Sequence, residues 1–447
     1  MKRRWRAWAS VMMVALITGT LPGLARATGR PGQRASEDPV RILRIYYQAP
    51  GLVKAGEQVV MPVHVDCVTA RGRACDATVS LGVRTGVGDA WRFQTVDAGP
   101  GLAFDLTAPA ARAASSADQS VAFFLQAKAE TATSSLPAND GPPLRFYSTR
   151  QLRPVRVAAV PFGRLRKGRT VLSLQWGSGS MRAGLTLGRE SPTLGPSAFD
   201  VDRAGHVYLL DALQGRIAEF KRSRLLRQRW VQADPAADLA VATDGTAYVA
   251  HVHEGVVGMT RLSGSGRDLG TVTLGPGVLS QVRMAGSAAY AELLPLDAWV
   301  RVPASRGRAS RLAPISGRPL ASGEQVLRVG TERSIRLGIV RNGSVHGAVE
   351  LRSAHRFGEV ALAEPDGAGG YVVVVRVWRW RPQPADQFQV IHISNGHVAE
   401  TFAVSSRSFA EARPLSRFRL GPDGRLYQMV TGPAGVGIVR FEMKGES

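Results

Sequence analysis

The chain has 447 residues, 44% of them hydrophobic, and its 57 Lys and Arg residues outnumber 35 Asp and Glu residues, which gives a formal net charge of +22. This composition excludes a largely disordered chain and predicts two or three domains. The charge favours anionic partners such as envelope polymers, anionic lipid or nucleic acid. Because only six of the basic residues are lysines, the codon bias of a GC-rich genome is an equally open explanation.

The first 27 residues have the pattern of a secretory signal peptide. Four basic residues precede an apolar stretch over 7–21 and a small-residue site that ends at Ala27. The apolar stretch is shorter than the roughly 20 residues that span a bilayer, so we predict cleavage before Thr28 rather than a membrane anchor. Cleavage removes five basic residues and lowers the net charge from +22 to +17. No later stretch could span a membrane, which predicts a secreted or extracytoplasmic protein of the bacterial cell envelope.

A flexible segment over 28–38 and a β-sandwich over 39–150 follow. Short segments of alternating polarity, separated by turn residues, predict a sandwich of the immunoglobulin or fibronectin type. The stretches 109–119 and 134–143 are predicted as surface loops. Cys67 and Cys75, the only cysteines, lie eight positions apart and predict one short-loop disulfide in an oxidising compartment. Residues 151–169 are predicted as a basic linker.

A repeat then runs from 170 to 445. Gly-x-x-Tyr stretches end at Tyr208, Tyr248 and Tyr427, and looser copies end at Tyr290, Val326 and Tyr371, with steps of 40, 42, 36, 45 and 56 residues in chain order. A period near 40 residues, with strands and no helical pattern, is typical of a β-propeller with one four-stranded blade per repeat. Six anchors predict six blades. The last repeat offers only three strands, so we expect part of 170–188 to supply its outer strand and close the ring.

The best copy, Ser197–Phe220, resembles an NHL repeat. The residues that carry the resemblance are Asp202, Gly205, Tyr208, Asp211, Arg216, Ile217 and Phe220. The resemblance implies an all-β, six-bladed NHL-like propeller after the sandwich. NHL-like propellers include binding platforms and some secreted lyases and hydrolases, so the fold does not choose a function.

One phosphate-loop-like motif is present, but its context is wrong. Gly163–Thr170 has the spacing of a phosphate loop, with Arg169 in place of the lysine. Such a loop needs a helix after it, whereas an alternating strand pattern follows here. The motif is better explained as part of the basic linker. Similarly, Asn342-Gly343 is better explained as a tight hairpin turn than as a glycosylation site.

When the repeats are aligned, unusual residues fall on the turns between the second and third strands. His251, His253 and Glu254 could contribute ligands for Zn or Ca near the channel mouth. The resemblance to NHL-like propellers is compatible with such a site, because these propellers include secreted amidating lyases that hold zinc with propeller histidines. No third histidine is identified, and exposed turn histidines are the alternative. The cofactor prediction is therefore none, with a metal as the alternative.

A second candidate is the stretch Val377–Arg381. Trp378 and Trp380 share a strand face with Arg376, while Arg379 and Arg381 occupy the other face. Tryptophan beside guanidinium suits sugars, bases or anionic groups. Packing of the tryptophans between blades is the alternative.

The sequence thus predicts a non-catalytic binding or scaffold protein. Its partner would be an envelope protein or an anionic cell-surface polymer, with no specific nucleic acid. The predicted binding residues are Arg376, Trp378, Arg379, Trp380, Arg381 and Asp211, although Asp211 with Arg216 also fits a brace within a turn. The alternative function is a metal-assisted secreted lyase or hydrolase that uses His251, His253 and Glu254.

Overall fold

The computed structural model describes residues 38–443 except 87, 131, 138–140, 189–191, 295–297, 305–306, 309–313, 367–368 and 411–415. The predicted signal peptide and all of the segment over 28–38 except Asp38 lie outside the described residues. Within the part of the chain that is described, no helix is long and apolar enough to cross a membrane. Apart from one short α-helix and a single 3-10 turn, the regular elements of the described residues are all strands.

The N-terminal unit consists of two sheets. One sheet has the order β1-β3-β6 and the other the order β2-β9-β7-β4-β5, with β8 paired to β7. The bounds are β1 (Val40–Tyr47), β2 (Leu52–Lys54), β3 (Val60–Thr69), β4 (Thr78–Arg84), β5 (Arg92–Asp97), β6 (Ala103–Asp105), α1 (Thr107–Ala113), β7 (Ser120–Ala129), β8 (Ala132–Leu136) and β9 (Leu144–Thr149). Inward-facing residues of both sheets, such as Met61 and Phe123, form one shared core.

Two features of this unit test the sequence predictions. The disulfide between Cys67 and Cys75 is present, as predicted. The predicted loop over 109–119 is wrong in part, because Thr107–Ala113 forms helix α1 and buries Ala110 and Ala113 against the core. Alanine has the highest helix propensity, and two alanines three positions apart give the helix an apolar face. The second predicted loop, over 134–143, begins inside β8.

Residues 151–169 have more structure than a linker needs. They contain β10 (Arg153–Val157), which runs parallel to a strand much later in the chain. The next strands are β11 (Arg169–Trp176) and β12 (Arg182–Ala183). A strand therefore does follow the phosphate-loop-like motif, and the motif has no helix to which a phosphate could bind.

The remaining strands complete six sheets, which we number by chain order. In each sheet the strands are called a, b, c and d from the inside outwards, and they follow chain order except for strand d of sheet 6, which comes from earlier in the chain. Sheet 1 contains β13 (Ala198–Val201), β14 (Val207–Asp211), β15 (Arg216–Lys221) and β16 (Arg224–Trp230). Sheet 2 contains β17 (Asp238–Val241), β18 (Ala247–His253), β19 (Val256–Leu262) and β20 (Asp268–Pro276), and β24 (Gly307–Arg308) pairs with β20. Sheet 3 contains β21 (Val278–Ala285), β22 (Ala288–Leu294), β23 (Ala298–Arg301) and β25 (Pro314–Ile315).

Sheets 4 to 6 follow the same plan. Sheet 4 contains β26 (Arg318–Pro319), β27 (Gln325–Gly330), β28 (Ser334–Arg341) and β29 (Ser344–Ser353). Sheet 5 contains β30 (Arg356–Pro365), β31 (Tyr371–Arg379), β32 (Ala385–Ser394) and β33 (His397–Val404). Sheet 6 contains β34 (Phe418–Leu420), β35 (Leu426–Gly432) and β36 (Gly435–Phe441), with β11 as strand d. The partner of β10 is β29, so β10 lies outside strand d of sheet 4.

These sheets form a β-propeller. The a strands contact one another in order, β13 with β17, β17 with β21, β30 with β34 and β34 with β13. Each of the six sequence anchors lies on the b strand of a different sheet. The predicted closure is confirmed, because β11, which precedes the first sheet in the chain, pairs antiparallel with β36 and completes sheet 6. The hairpin at Asn342-Gly343 is also confirmed, with φ values of 50° and 78°.

Five of the six gaps between neighbouring sheets contain a hydrophobic core of their own, namely those between sheets 1 and 2, 2 and 3, 4 and 5, 5 and 6, and 6 and 1. The gap between sheets 3 and 4 is different among the described residues. Leu327 of sheet 4 packs against Leu52 and Tyr147 of the N-terminal unit, and Ala298 of sheet 3 joins that unit's core. The N-terminal unit therefore fills this gap.

Candidate functional site

The axis of the propeller contains a buried network of charges. Every a strand contributes one charged residue to this network: Asp200, Asp238, Arg283, Arg318, Glu364 and Arg419. Arg419 contacts Asp238 at 3.2 Å and Asp200 at 3.7 Å, Arg283 contacts Asp238 at 3.5 Å and Glu364 at 3.4 Å, and Arg318 contacts Glu364. The ion pairs thus connect all six a strands in one chain.

The axial network also binds the backbone. The Asp238 carboxylate accepts the N–H of Val282 at 2.6 Å, and the Asp200 carboxylate accepts the N–H of Val241 at 2.8 Å. Burial raises the pKa of Asp200 to about 7 and also raises the pKa of Asp238. Side chains that are paired in this way hold neighbouring sheets together.

The two ends of the propeller differ. The b–c and d–a connections share one end, which we call the b–c face, and the a–b and c–d connections share the other, the a–b face. Contacts between successive connections unite the b–c face: the Gly277 N–H donates to the Gly255 carbonyl at 3.0 Å, and the Val252 N–H donates to the Asp234 carboxylate at 2.9 Å. The three candidate sequence stretches all reach this face, as their spacing predicted.

Exposed apolar side chains concentrate on the b–c face. Among the described residues from 170 onwards, nine large hydrophobic side chains are exposed, and only Leu226 lies away from this face. The other eight are at the ends of b or d strands, at the start of a or c strands, or in the connections between them: Met181, Leu187, Trp230, Val256, Val278, Leu294, Trp380 and Phe409. A one-sided distribution of this kind is typical of an interaction surface.

The tryptophan pair lies at the b–c end of sheet 5. The ring centroids of Trp378 and Trp380 are 5.5 Å apart in an edge-to-face arrangement, and Trp380 is 67% exposed. The guanidinium of Arg356 lies 5.2 Å from the centroid of the Trp378 ring. Trp380 is therefore not packed between sheets, which removes the main alternative for this residue.

Three arginines surround the pair. Arg376 forms an ion pair with Asp386 at 2.7 Å, Arg379 lies over the ring of Phe162 at 4.7 Å, and Arg381 is exposed. Sequence reasoning missed Phe162 and Arg356. Phe162 lies in the stretch assigned to a linker, and Arg356 is on strand a, so no local pattern connects either residue with Trp378.

Asp211 is placed differently from the other predicted binding residues. It is 1% exposed, and its carboxylate accepts the Gly184 N–H at 3.0 Å and lies 3.6 Å from Arg216. Arg216 in turn donates to the Gly179 carbonyl at 2.9 Å. The pair therefore braces the connection from sheet 6 to sheet 1, and Asp211 is not part of the exposed edge.

The two histidines occupy the end of β18. The imidazole of His251 packs closely on Gly258, because a Cβ at position 258 would be only 2.6 Å from its Cε1. The Nε2 atom of His251 is 3.3 Å from Thr260 Oγ1. Burial lowers the pKa of His251. His253 and Glu254 are exposed, and Glu254 has a φ of 51° in the turn. The described residues contain no group of three or more His, Cys, Asp or Glu side chains that could hold a metal ion.

No protein-family model matches the chain, and no curated protein is similar to it. Among solved structures, virginiamycin B lyase from Staphylococcus aureus matches with a TM-score of 0.35 and 8% identity over 56% of this chain and 96% of the lyase. The PQQ-bound aldose sugar dehydrogenase from Streptomyces coelicolor matches with a TM-score of 0.35 and 12% identity over 62% and 96%. A Lactobacillus plantarum protein matches with a TM-score of 0.36 and 14% identity over 62% and 100%. Similarity this low identifies no activity.

Proposed function

We propose that this protein is a secreted, non-catalytic binding module of the bacterial cell envelope, and that its b–c face binds an acidic protein partner. In this proposal the six sheets are the six blades of an NHL-like propeller. The N-terminal unit is an immunoglobulin-like sandwich that completes the ring and carries no site of its own.

The distribution of exposed apolar side chains carries the proposal. Eight of the nine exposed large hydrophobic side chains in the described propeller lie on the b–c face. Codon bias could explain a uniform excess of arginine, but it does not place apolar side chains on one end of a propeller. Because exposed apolar area is costly in water, its concentration on one face favours a partner that covers it.

The edge of sheet 5 supplies the specific contacts. Tryptophan and arginine are the residue types enriched at the energetic centres of protein interfaces. Trp380 offers an exposed ring that Trp378 supports from the side, and Arg381 adds an exposed positive charge. An acidic segment with apolar residues would match both features. A bare anionic polymer would match only the charge.

Two observations support an oxidising location. The sequence begins with a pattern typical of a signal peptide, and the Cys67–Cys75 disulfide is of the kind that persists outside the cytosol.

The test is retention of purified residues 28–447 on envelopes isolated from the source bacterium, over a salt series that reaches about 1 M, where electrostatic screening shortens to about 3 Å. We expect retention to survive high salt, and we expect this high-salt retention to disappear when the envelopes are treated with protease. The Trp380→Ala/Arg381→Ala variant should bind about tenfold more weakly. The Arg92→Ala/Phe93→Ala variant is the control, because it removes an exposed ring and a charge from the N-terminal unit.

Other outcomes contradict the proposal. Retention at high salt that resists protease would mean that the partner of the b–c face is a polymer and not a protein. Equal losses in the two double variants would mean that the edge of sheet 5 is not the contact, and no retention at any salt concentration would remove the envelope partner altogether.

A further inference from the structure

The a–b face carries a groove that the proposed function does not use. It runs between sheets 6 and 1 and has a volume of about 600 Å³. Its walls are the start of β11, the a–b and c–d turns of sheet 1, and the a–b turn of sheet 6. The basic residues that line it are Arg169, Arg203, Lys221, Arg222, Arg425 and Arg440. The groove lies at the opposite end of the propeller from Trp380.

Four of these basic side chains are free to bind a ligand. Arg169, Arg203, Lys221 and Arg222 are all exposed, and the described residues give none of them an ion-pair partner. Arg425 is different, because it pairs with Asp423 at 3.0 Å and with Glu442 at 2.5 Å. The groove therefore has a local excess of positive charge that the surrounding structure does not neutralise.

The two acidic residues in the groove are committed to the fold. Asp202 accepts the N–H groups of Ala204 and His206, each at 2.9 Å, and the hydroxyl of Tyr208 at 3.0 Å. Asp423 accepts the hydroxyl of Tyr427 at 2.8 Å. Both carboxylates hold a–b turns in place through these hydrogen bonds. An incoming anion would therefore leave them in place, and they would compete only weakly with it for the basic side chains.

The turn geometry holds the basic side chains at the rim. Arg222 and Ser223 have φ values of 49° and 64°, so the c–d turn of sheet 1 is a tight left-handed turn that carries Lys221 and Arg222 next to each other. Arg169 and Thr170, the last residues of the phosphate-loop-like motif, form the opposite wall at the start of β11. The end of the motif thus lies beside other basic side chains, and no helix N-terminus is involved.

We propose that this groove binds a linear polyanion, with phosphate or carboxylate groups spaced along one chain. A groove with separate basic residues on both walls fits repeated charges better than it fits a single small anion. Guanidinium groups bind phosphate and carboxylate in bidentate geometry. Because the groove and the b–c face lie at opposite ends of the propeller, the protein would connect a polyanion at one end to a protein at the other.

The test uses long-chain polyphosphate and poly-L-glutamate as probes of the full mature chain, with binding measured over a salt series. Arg203→Gln/Lys221→Gln/Arg222→Gln removes three groove charges. Arg73→Gln/Arg92→Gln/Lys128→Gln removes three exposed charges from the N-terminal unit and is the matched control. The groove variant should lower affinity by about tenfold or more and reduce the salt slope by about 3, since each lost contact reduces the slope by about 1. The control should leave the salt slope unchanged.

The two probes separate the two sources of charge, because the preferred one identifies the anionic group. Unchanged thermal melting of the groove variant shows that it folds. Equal losses in the groove and control variants, or binding of both probes that the groove variant does not weaken, would overturn the inference. Retention on protease-treated and untreated envelopes does not enter this test, so failure of the groove and failure of the b–c face are distinguishable.

Discussion

Asp200 is the residue whose titration reports most directly on the axial network. Its ordinary pKa of 3.8 is raised to about 7, first by burial, while the N–H groups of Val241 and Val201 oppose the shift. Between these values the folded protein retains a proton that the unfolded chain has released. The contribution of Asp200 to the free energy of unfolding is therefore fully present below pH 3.8 and is lost as the pH rises towards 7.

We expect Asp200→Asn to remove this dependence. The free energy of unfolding of the wild type, relative to the variant, should be larger near pH 4.5 than near pH 7.5, as measured by urea unfolding at about those two values. The amide that replaces the carboxylate can accept from only one of the Val201 and Val241 N–H groups. This cost does not depend on pH, so only the change with pH is diagnostic. A difference that is the same at both pH values would mean that Asp200 titrates alike in the folded and unfolded chains.

Single residues were predictable only where chemistry is local. Cys67 and Cys75 could be paired because they are the only cysteines and lie eight positions apart. The ion pairs of the axial network could not be predicted in this way. Each charged residue lies in a different strand, and only the closed ring of sheets brings the residues together. Likewise, the brace between Asp211 and Arg216 involves Gly184, to which no sequence pattern connects it.

At the scale of elements, the strand that closes the ring is the most informative. Strand β11 pairs with β36, and Leu174 in its centre is 3% exposed within the core shared by sheets 6 and 1. We expect Leu174→Ala to destabilise the protein by about 2–5 kcal/mol, the range for truncation of a buried leucine. Urea unfolding measures this value.

The neighbouring Ser173 points outwards, so Ser173→Ala is the matched control and should change stability by less than about 0.5 kcal/mol. If Leu174→Ala were as mild as the control, β11 would not be a structural member of the ring.

Elements with a repeated pattern were predictable, and elements without one were not. The Gly-Tyr anchors locate the b strands because a tight a–b turn needs a positive φ, which Gly205 and Gly424 adopt. Strand β10 has no such signal. It is a five-residue parallel strand whose partner lies far along the chain, and a parallel pair of this kind leaves no turn motif in the sequence. Helix α1 was missed because an alanine- and serine-rich stretch also fits a loop.

At the scale of the whole molecule, the N-terminal unit is part of the ring. It packs Leu52 and Tyr147 against sheet 4, and Arg336 of sheet 4 binds Glu57 at 2.7 Å. This contact holds the pKa of Glu57 below its ordinary value. The sequence did not predict this contact, because alternating strands reveal an inward face without revealing what the outward face contacts.

The proposed function assigns the b–c face to an envelope partner. Hydroxyl-radical footprinting of the protein, free and bound to envelopes, tests this claim most directly. Trp230 and Trp380 on the b–c face are 70% and 67% exposed, and Phe93 on the N-terminal unit is 62% exposed, so all three react in the free protein. We predict that binding protects Trp380 and leaves Phe93 reactive, with Trp230 protected if the partner covers the face. Protection of Phe93 with Trp380 still fully reactive would contradict the account.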